Sequence, residues 1–356
     1  MKILHTADIH LGSKLESKFP KEKSDTRKKE LLNSFGRMVE YANQNDIKII
    51  LLSGDVFDRD KPTLKDKGYF YTTIKNNPHI DFYYLNGNHD KEGSYVENEI
   101  ANLKTFSKTE FTSYELENNL VISGIEMNPE NAKSFYSKLK LDKNKTNIVM
   151  LHGDVTDTTG MDKIKIDNLK NKNIDYLALG HIHSYKTGRI DDRGTYAFPG
   201  CLEGRGFDEC GEKGFIVLDY DGTINSIEFV PFAIRTIEEI DVDITNQESL
   251  YDIEKLVKQK VSNINKNNIL RINLVGEISL GIEFTEEDIE ISLRDYFFVN
   301  VKNKTTLKID IESYQDDKSL IGEFVRGVFN NNDYTDEDKK LIINLGLKAI
   351  KGKEVE

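Results

Sequence analysis

Leu177-Ala178-Leu179-Gly180-His181-Ile182-His183 is the stretch on which the reading of this chain turns. An apolar run ending in a glycine and a His-x-His pair predicts a buried strand that stops at a tight turn. Side chains alternate across a strand, so His181 and His183 fall on one side while Ile182 points away. Two imidazoles delivered together at the carboxyl end of a strand suit a metal centre.

Four further strand ends carry polar groups in the same way. Lys2–Ala7 runs into Asp8-Ile9-His10, and Ile47–Leu52 into Gly54-Asp55-Val56-Phe57-Asp58-Arg59. Asp81–Leu85 ends in Asn86-Gly87-Asn88-His89-Asp90, and Ile148–Leu151 in His152-Gly153-Asp154. Between the first two strands, Leu31, Leu32, Phe35, Met38, Val39 and Ala42 keep the 3.6-residue period of an amphipathic helix. A second helix is expected from Pro62 to about Lys75. Strand, polar turn and helix in alternation predict an α/β layered domain, and such sheets place their sites just past the carboxyl ends of strands. After the His-x-His pair, Tyr185–Ile190, Thr195–Phe198, Gly214–Tyr220 and Ile224–Pro231 read as short strands of a second sheet. That sheet would close the domain near residue 235.

From Ile237 the pattern becomes strand–helix–strand–helix–strand, with helices at Leu250–Val261 and Glu286–Leu293 and strands at Ile269–Val275 and Phe298–Val301. This predicts a small α/β domain, followed by a polar linker at Tyr314–Asp317. Two amphipathic helices then present Leu320, Ile321, Phe324, Val325, Val328 and Phe329, and Leu341, Ile342, Leu345, Ala349 and Ile350. Such short helices need a surface to rest on, either their own domain or a partner.

At 356 residues, 38% hydrophobic and 31% charged, the chain can bury a sizeable core. No apolar run approaches the ~18–20 residues of a membrane span, and the N-terminus lacks the pattern of a signal peptide. The only cysteines, Cys201 and Cys210, are then expected as reduced thiols in the cytoplasm. A net charge of −12 counts against a protein that holds nucleic acid unaided. It does not exclude an enzyme whose metals and partner supply positive charge.

Asp8, His10, Asp55, Asn88, His152, His181 and His183 make seven nitrogen or oxygen donors, enough for two divalent ions sharing a carboxylate. An Asp-x-His at a turn is by itself an ordinary cap, and Asn-Gly-Asn by itself is turn chemistry. His5 and His79 carry no assigned role. Five motifs in order at five strand ends, drawing on five of seven histidines, are not explained that way. Paired ions at ~3.5–4 Å activate water and clamp phosphate oxygens. A mixed imidazole and carboxylate shell suits Mn²⁺, Fe²⁺ or Zn²⁺ better than Mg²⁺.

Asp8-Ile-His, Gly54-Asp-Val-Phe-Asp-Arg, Gly87-Asn-His-Asp, His152-Gly-Asp and Gly180-His-Ile-His are together similar to the five signature motifs of calcineurin-like metallophosphoesterases. Leu4-His-Thr-Ala-Asp-Ile-His-Leu-Gly12 resembles the SbcD-type DNA repair exonucleases within that superfamily. So do Phe198-Pro-Gly-Cys-Leu-Glu-Gly-Arg-Gly-Phe-Asp208 and Gly211-Glu-Lys-Gly-Phe215. The resemblance implies a four-layer sandwich of two mixed sheets flanked by helices over residues 1–236. It further implies a cap domain at 237–313 and an ATPase-binding helical segment at 318–356.

It implies one ion on Asp8, His10 and His183, another on Asn88, His152 and His181, and Asp55 as the bridge. Mn²⁺ is the expected metal, with Fe²⁺, Zn²⁺ or Mg²⁺ as alternatives. His89 would be the general acid, Asp58 would orient it, although some archaeal nucleases of the family have a histidine there, and Arg59 would grip the phosphate. Arg205 is a further candidate for the nucleic-acid backbone. The implied function is an Mn²⁺-dependent DNA exonuclease and endonuclease that works with an ABC-type ATPase in double-strand-break repair. The alternative is a phosphoesterase acting on nucleotides or phosphoproteins. Family members pair as homodimers through helices of this domain, for which Leu64–Ile74 is either pairing face or core.

Overall fold

The computed structural model describes residues 1–15, 18–58, 63–87, 90, 100–158, 160, 162–279, 282–308 and 314–350. The chain forms two compact units, Met1–Ile237 and Glu238–Glu356.

The first unit opens with β1 (Lys2–Thr6), α1 (Lys21–Gln44), β2 (Ile47–Ser53), α2 (Leu64–Lys75), β3 (Asp81–Leu85) and β4 (Leu103–Thr105). It continues through β5 (Thr112–Glu115), β6 (Leu120–Gly124), α3 (Phe135–Lys138), β7 (Thr146–His152), β8 (Asp154–Val155) and β9 (Lys163–Ile164). Then come β10 (Tyr176–Gly180), β11 (Lys186–Arg189), β12 (Thr195–Phe198), β13 (Gly214–Tyr220) and β14 (Ile224–Pro231). α2 starts with a capping box: Thr63 Oγ1 accepts the Asp66 N–H at 3.1 Å and the Asp66 carboxylate accepts the Thr63 N–H at 3.1 Å.

Two six-stranded sheets result, in the orders β14-β13-β1-β2-β3-β4 and β11-β12-β10-β7-β6-β5. Both are mixed. β1 pairs parallel with β2 and antiparallel with β13, and β10 pairs parallel with β7 and β12. Ile3, Ile49 and Leu51 of the first sheet pack against Ile148, Met150 and Ala178 of the second. The opposite face of the first sheet carries Leu4, Ile50 and Leu52 against Phe35, Met38 and Phe70 of α1 and α2. That of the second carries Val149, Leu151 and Leu179 against Phe135, Leu139 and Leu169. Helices, sheet, sheet and helices make the four layers. Each fully buried Leu, Ile or Phe in these layers contributes ~1.5–3 kcal/mol of apolar burial.

The four strands after His183 do not form a sheet of their own, contrary to the sequence reading. β13 and β14 extend the first sheet, with Ile3 opposite Leu218. β11 and β12 extend the second beside β10. β7 and β10 also belong to this second sheet, not to the one containing β1, β2 and β3. Strands buried on both faces read as the same apolar run whichever sheet they join.

The second unit contains β15 (Ile237–Asp243), α4 (Leu250–Lys260), β16 (Ile269–Val275), β17 (Glu277–Ser279), α5 (Glu286–Ser292), β18 (Phe298–Asn303) and β19 (Thr306–Lys308). β15, β16 and β18 form one small sheet, and β17 pairs with β19. Ile253 and Val257 of α4 and Ile289 of α5 cover Leu270, Ile272 and Val301. α6 (Leu320–Phe329) and α7 (Asp336–Ile350) pack on each other through Val325, Val328, Ile343 and Leu347. The stripe expected on α7 is therefore offset, because Ile343 and Leu347 meet α6 while Leu341 and Ile350 are exposed. Among the described residues, no helix is long and apolar enough to cross a membrane.

Candidate metal centre

Asp8 and His10 follow β1, Asp55 follows β2, His152 ends β7, and His181 and His183 follow β10. The centre therefore draws on both sheets. Within the first sheet the two turns are laced together, with Asp8 N–H donating to Gly54 O at 3.0 Å and His10 N–H to Asp55 O at 3.0 Å. Across the sheets, His181 N–H donates to both carboxylate oxygens of Asp8 at 2.9 and 3.0 Å. His152 Nδ1 donates to Ser53 O at 2.8 Å, which turns Nε2 inward to 3.3 Å from Asp55 Oδ2. Gly180 lets the sheets meet, since a Cβ there would run into Ser53 O, Ala7 Cβ and the His152 ring.

The turns are held in a sparsely populated conformation. Asp8, His10, Asp55 and His181 all have positive φ, at 51°, 51°, 52° and 104°. Each non-glycine residue so placed costs of order 1–3 kcal/mol, and such strain concentrates at functional sites.

Two sets of side chains converge, Asp8 with His10 and His183, and Asp8 with Asp55 and His152; in each set the ligand atoms lie within 4.8 Å of one another. His10 Nε2 is 3.3 Å from His183 Nε2 and 3.9 Å from Asp55 Oδ2, and His183 Nε2 is 3.9 Å from Asp8 Oδ1. Asp55 thus lies between His10 and His152. The His181 ring stands edge-on to His152 with centroids 5.4 Å apart, and its Nε2 is 3.7 Å from Asp162 Oδ2. Asn88, His89 and Arg59 lie outside the described residues. Their neighbour Asp90 accepts the N–H groups of Val56, Phe57 and Gly87 at 3.2, 2.8 and 3.0 Å, which ties the turn after β3 to that after β2.

Behind the donors sits a shell that the sequence reading missed. Glu209 accepts from His183 Nδ1 at 2.8 Å, and Arg205 closes on the same carboxylate through Nη2 at 2.6 Å and its backbone N–H at 2.7 Å. Arg205 also reaches Ser13 Oγ at 3.2 Å and Asp58 at 3.9 Å. Its guanidinium, a candidate for the nucleic-acid backbone, packs into this shell and is 13% exposed. Asp58 accepts from Ser13 Oγ at 2.8 Å and lies 3.5 Å from His10 Nδ1. Neither cysteine is in a disulfide; buried Cys201 lies beside Glu209. The signal for Glu209 was one residue past the Phe198–Asp208 segment, an acid in a glycine-rich loop.

The electrostatics describe a site made for cations. Burial pushes Asp8 up to about 7, with the Asp55 charge adding to it and His152 opposing. Burial would lower His152, but the Asp55 hydrogen bond and the charges of Asp55 and Asp8 raise it to about 9. Burial brings His10 down to about 4, so it is neutral and its lone pair is available at neutral pH. For Asp58, burial is outweighed by hydrogen bonds from His10 and Ser13, which bring it to about 2. A buried mixture of carboxylates and imidazoles, of which His10 is already neutral and His152 would give up its proton to an ion, is a donor set that fits divalent cations.

A sequence profile of the calcineurin-like phosphoesterases matches residues 1–185. The DNA double-strand break repair protein Mre11 of Sulfolobus acidocaldarius is 26% identical over 97% of this chain and 94% of its own length. The D component of nuclease SbcCD from Staphylococcus epidermidis is 24% identical over 92% of this chain and 93% of its own. Among solved structures, a dimetal phosphatase from Danio rerio covers 61% of this chain and 92% of its own at 8% identity, with a TM-score of 0.43.

Proposed function

The chain belongs to the calcineurin-like phosphoesterase family, and from that premise we propose that it is a metal-dependent DNA nuclease of double-strand-break repair. The observation that carries this reading is the convergence of Asp8, His10, Asp55, His152 and His183, in a chain whose Mre11 and SbcCD relatives align along nearly its whole length. One ion would be held by Asp8, His10 and His183, the other by Asn88, His152 and His181, with Asp55 between them. When bound, such ions supply Lewis acidity for in-line displacement at phosphorus. The mixed nitrogen and oxygen donor set suits Mn²⁺, Fe²⁺ or Zn²⁺, and of these Mn²⁺ is the one we propose.

The chain's own groups do the rest. His89 protonates the leaving oxygen, since an imidazole titrates near neutrality. Arg59 grips a phosphate oxygen pair. The position of Asp58 behind His10 supports a part in holding that imidazole, in addition to any part in orienting His89. Residues 237–313 cap the cleft, and 318–356 dock an ABC-type ATPase whose own charge would compensate for the −12 of this chain. Pairing through Leu64–Ile74 remains part of the same proposal.

The test is a paired assay in Mn²⁺, with a labelled DNA strand in one arm and a generic phosphomonoester in the other, using wild type and His89→Ala. Cleavage of DNA that the substitution lowers by about 10²–10⁴-fold, with metal content unchanged, is the expected result. Hydrolysis of the monoester alone would replace the nuclease reading with one of a phosphatase acting on nucleotides or phosphoproteins.

A further inference from the structure

A cavity of about 510 Å³, within the ~300–1,000 Å³ range of ligand sites, is lined in part by Lys163, whose chain neighbour Asp162 reaches His181. Lys133, Tyr136, Thr158, Lys163, Lys165 and Asn168 line it. Its connection to the centre is short. Asp162 puts its carboxylate 3.7 Å from His181 Nε2 and its carbonyl on the Asp154 N–H at 2.8 Å, and Lys163 is the next residue. Tyr136 forms a firm wall, stacked on buried Phe135 with centroids 3.9 Å apart, its hydroxyl accepting the Lys165 N–H at 2.8 Å.

The three lysines are not equivalent. Lys163 is neutralised by Asp154, with Nζ 3.3 Å from Oδ2. Asp162 is turned to His181. The ammonium groups of Lys133 and Lys165 have no hydrogen bond or ion pair among the described residues. Two cations without a partner among the described residues thus face one cavity in a protein of net charge −12. They come from separate segments, one just before α3 and one just after β9, so they suit charges spaced along a chain better than one compact phosphate. A polymer whose scissile phosphate sits at the metal centre must lead its neighbouring phosphates away from it, and Asp162, 3.7 Å from His181 Nε2, is the chain neighbour of Lys163 in the cavity wall.

We propose that this groove carries the single-stranded continuation of the nucleic-acid substrate, with Lys133 and Lys165 each engaging a backbone phosphate beyond the scissile one. The proposal rests on the nuclease reading for its substrate, and it adds where that substrate runs. Tyr136, Thr158 and Asn168 would face the sugar and base of the same stretch.

The experiment measures binding in EDTA, where no cleavage occurs, by anisotropy of a labelled oligothymidylate over a series of KCl concentrations with the full chain. Each single-strand phosphate contact contributes about 0.7 to the slope of log K against log salt, or about 5-fold in affinity at 0.1 M salt. The double substitution Lys133→Ala, Lys165→Ala should therefore lower the slope by about 1.4 and the affinity by about 25-fold. Lys48→Ala, at the amino end of β2 and away from the carboxyl-end site, should leave both unchanged. An unchanged slope in a double variant whose circular dichroism matches wild type would overturn the groove. If wild type cleaves DNA in Mn²⁺ and the slope does not move, the groove falls and the nuclease reading stands. If the slope falls as expected but no DNA is cleaved in Mn²⁺, the groove stands and the nuclease reading falls.

Discussion

Glu209→Gln tests whether the shell behind the centre sets metal affinity or merely fills space. Glu209 receives His183 Nδ1–H at 2.8 Å on one oxygen, and its carboxylate carries Arg205 as well. The imidazole N–H and Arg205 Nη2 share one oxygen, Oε1, and the Arg205 backbone N–H takes the other, so an amide of the same shape turns its NH₂ toward one of these two sets and a donor then faces a donor. Among the described residues Arg205 then keeps only Asp58, 3.9 Å away, as a carboxylate partner. Breaking one side of a buried ion pair costs about 3–5 kcal/mol. At about 2–4 °C per kcal/mol in a domain of this size, the melting temperature should fall by about 6–20 °C.

Metal binding should report the second effect. Losing the carboxylate that orients a ligating imidazole lowers metal affinity by about 10–100-fold, or about 1.4–2.8 kcal/mol. Calorimetric titration with Mn²⁺ well below the melting transition should show that loss for the ion held by Asp8, His10 and His183. The ion on the His152 side should change little. A variant that melts earlier yet binds both ions as wild type does would refute the reasoning and leave Glu209 with a purely structural part.

Asp55→Ala should abolish paired binding, because it removes the carboxylate that lies 3.9 Å from His10 Nε2 and 3.3 Å from His152 Nε2; two ions per chain by elemental analysis would reject the bridge. Gly180→Ala forces a Cβ against Ser53 O and Ala7 Cβ, and should destabilise by about 1–3 kcal/mol, read as a lower urea midpoint. His5 is buried against Tyr176 OH, and burial brings its pKa from 6.5 down to about 3. Its neutral burial thus contributes stability that is complete above about pH 6.5 and is lost as pH falls toward 3, because the unfolded chain takes up the proton first. His5→Gln should flatten the pH dependence of unfolding in that window by up to about 1.4 kcal/mol per pH unit. Parallel curves for variant and wild type would count against it.

Much of this was legible in the sequence, and for identifiable reasons. β3 and β16 have the bounds their apolar runs predict, at Asp81–Leu85 and Ile269–Val275, because polar turn residues frame them. Asp8, His10, Asp55, His152 and His183 announce themselves by sitting after strands. Sheet membership was not legible. Whether β13 lies beside β1 depends on contacts between residues more than 200 positions apart, and Ile216 and Leu218 would read identically in either sheet. Glu209 was missed because its function is relational. Nothing local distinguishes it from Glu212, and only the fold brings it to His183. The ion pair of Arg205 with Glu209 was not legible for the same reason: an arginine in a glycine-rich loop suggests an open hand, and only the fold shows that it holds a carboxylate.

The tie between His181 N–H and the Asp8 carboxylate joins residues 173 positions apart, and Glu209 lies farther along still. No partly synthesised chain short of residue 183 contains the constellation, none short of residue 209 contains the shell behind it, and no intermediate with one sheet assembled contains either. Hydrolytic capacity is thus a late product of maturation, present only when both halves of the sandwich have closed on each other. A protein with this layout has no metal centre while nascent, and loses it at the first parting of its sheets.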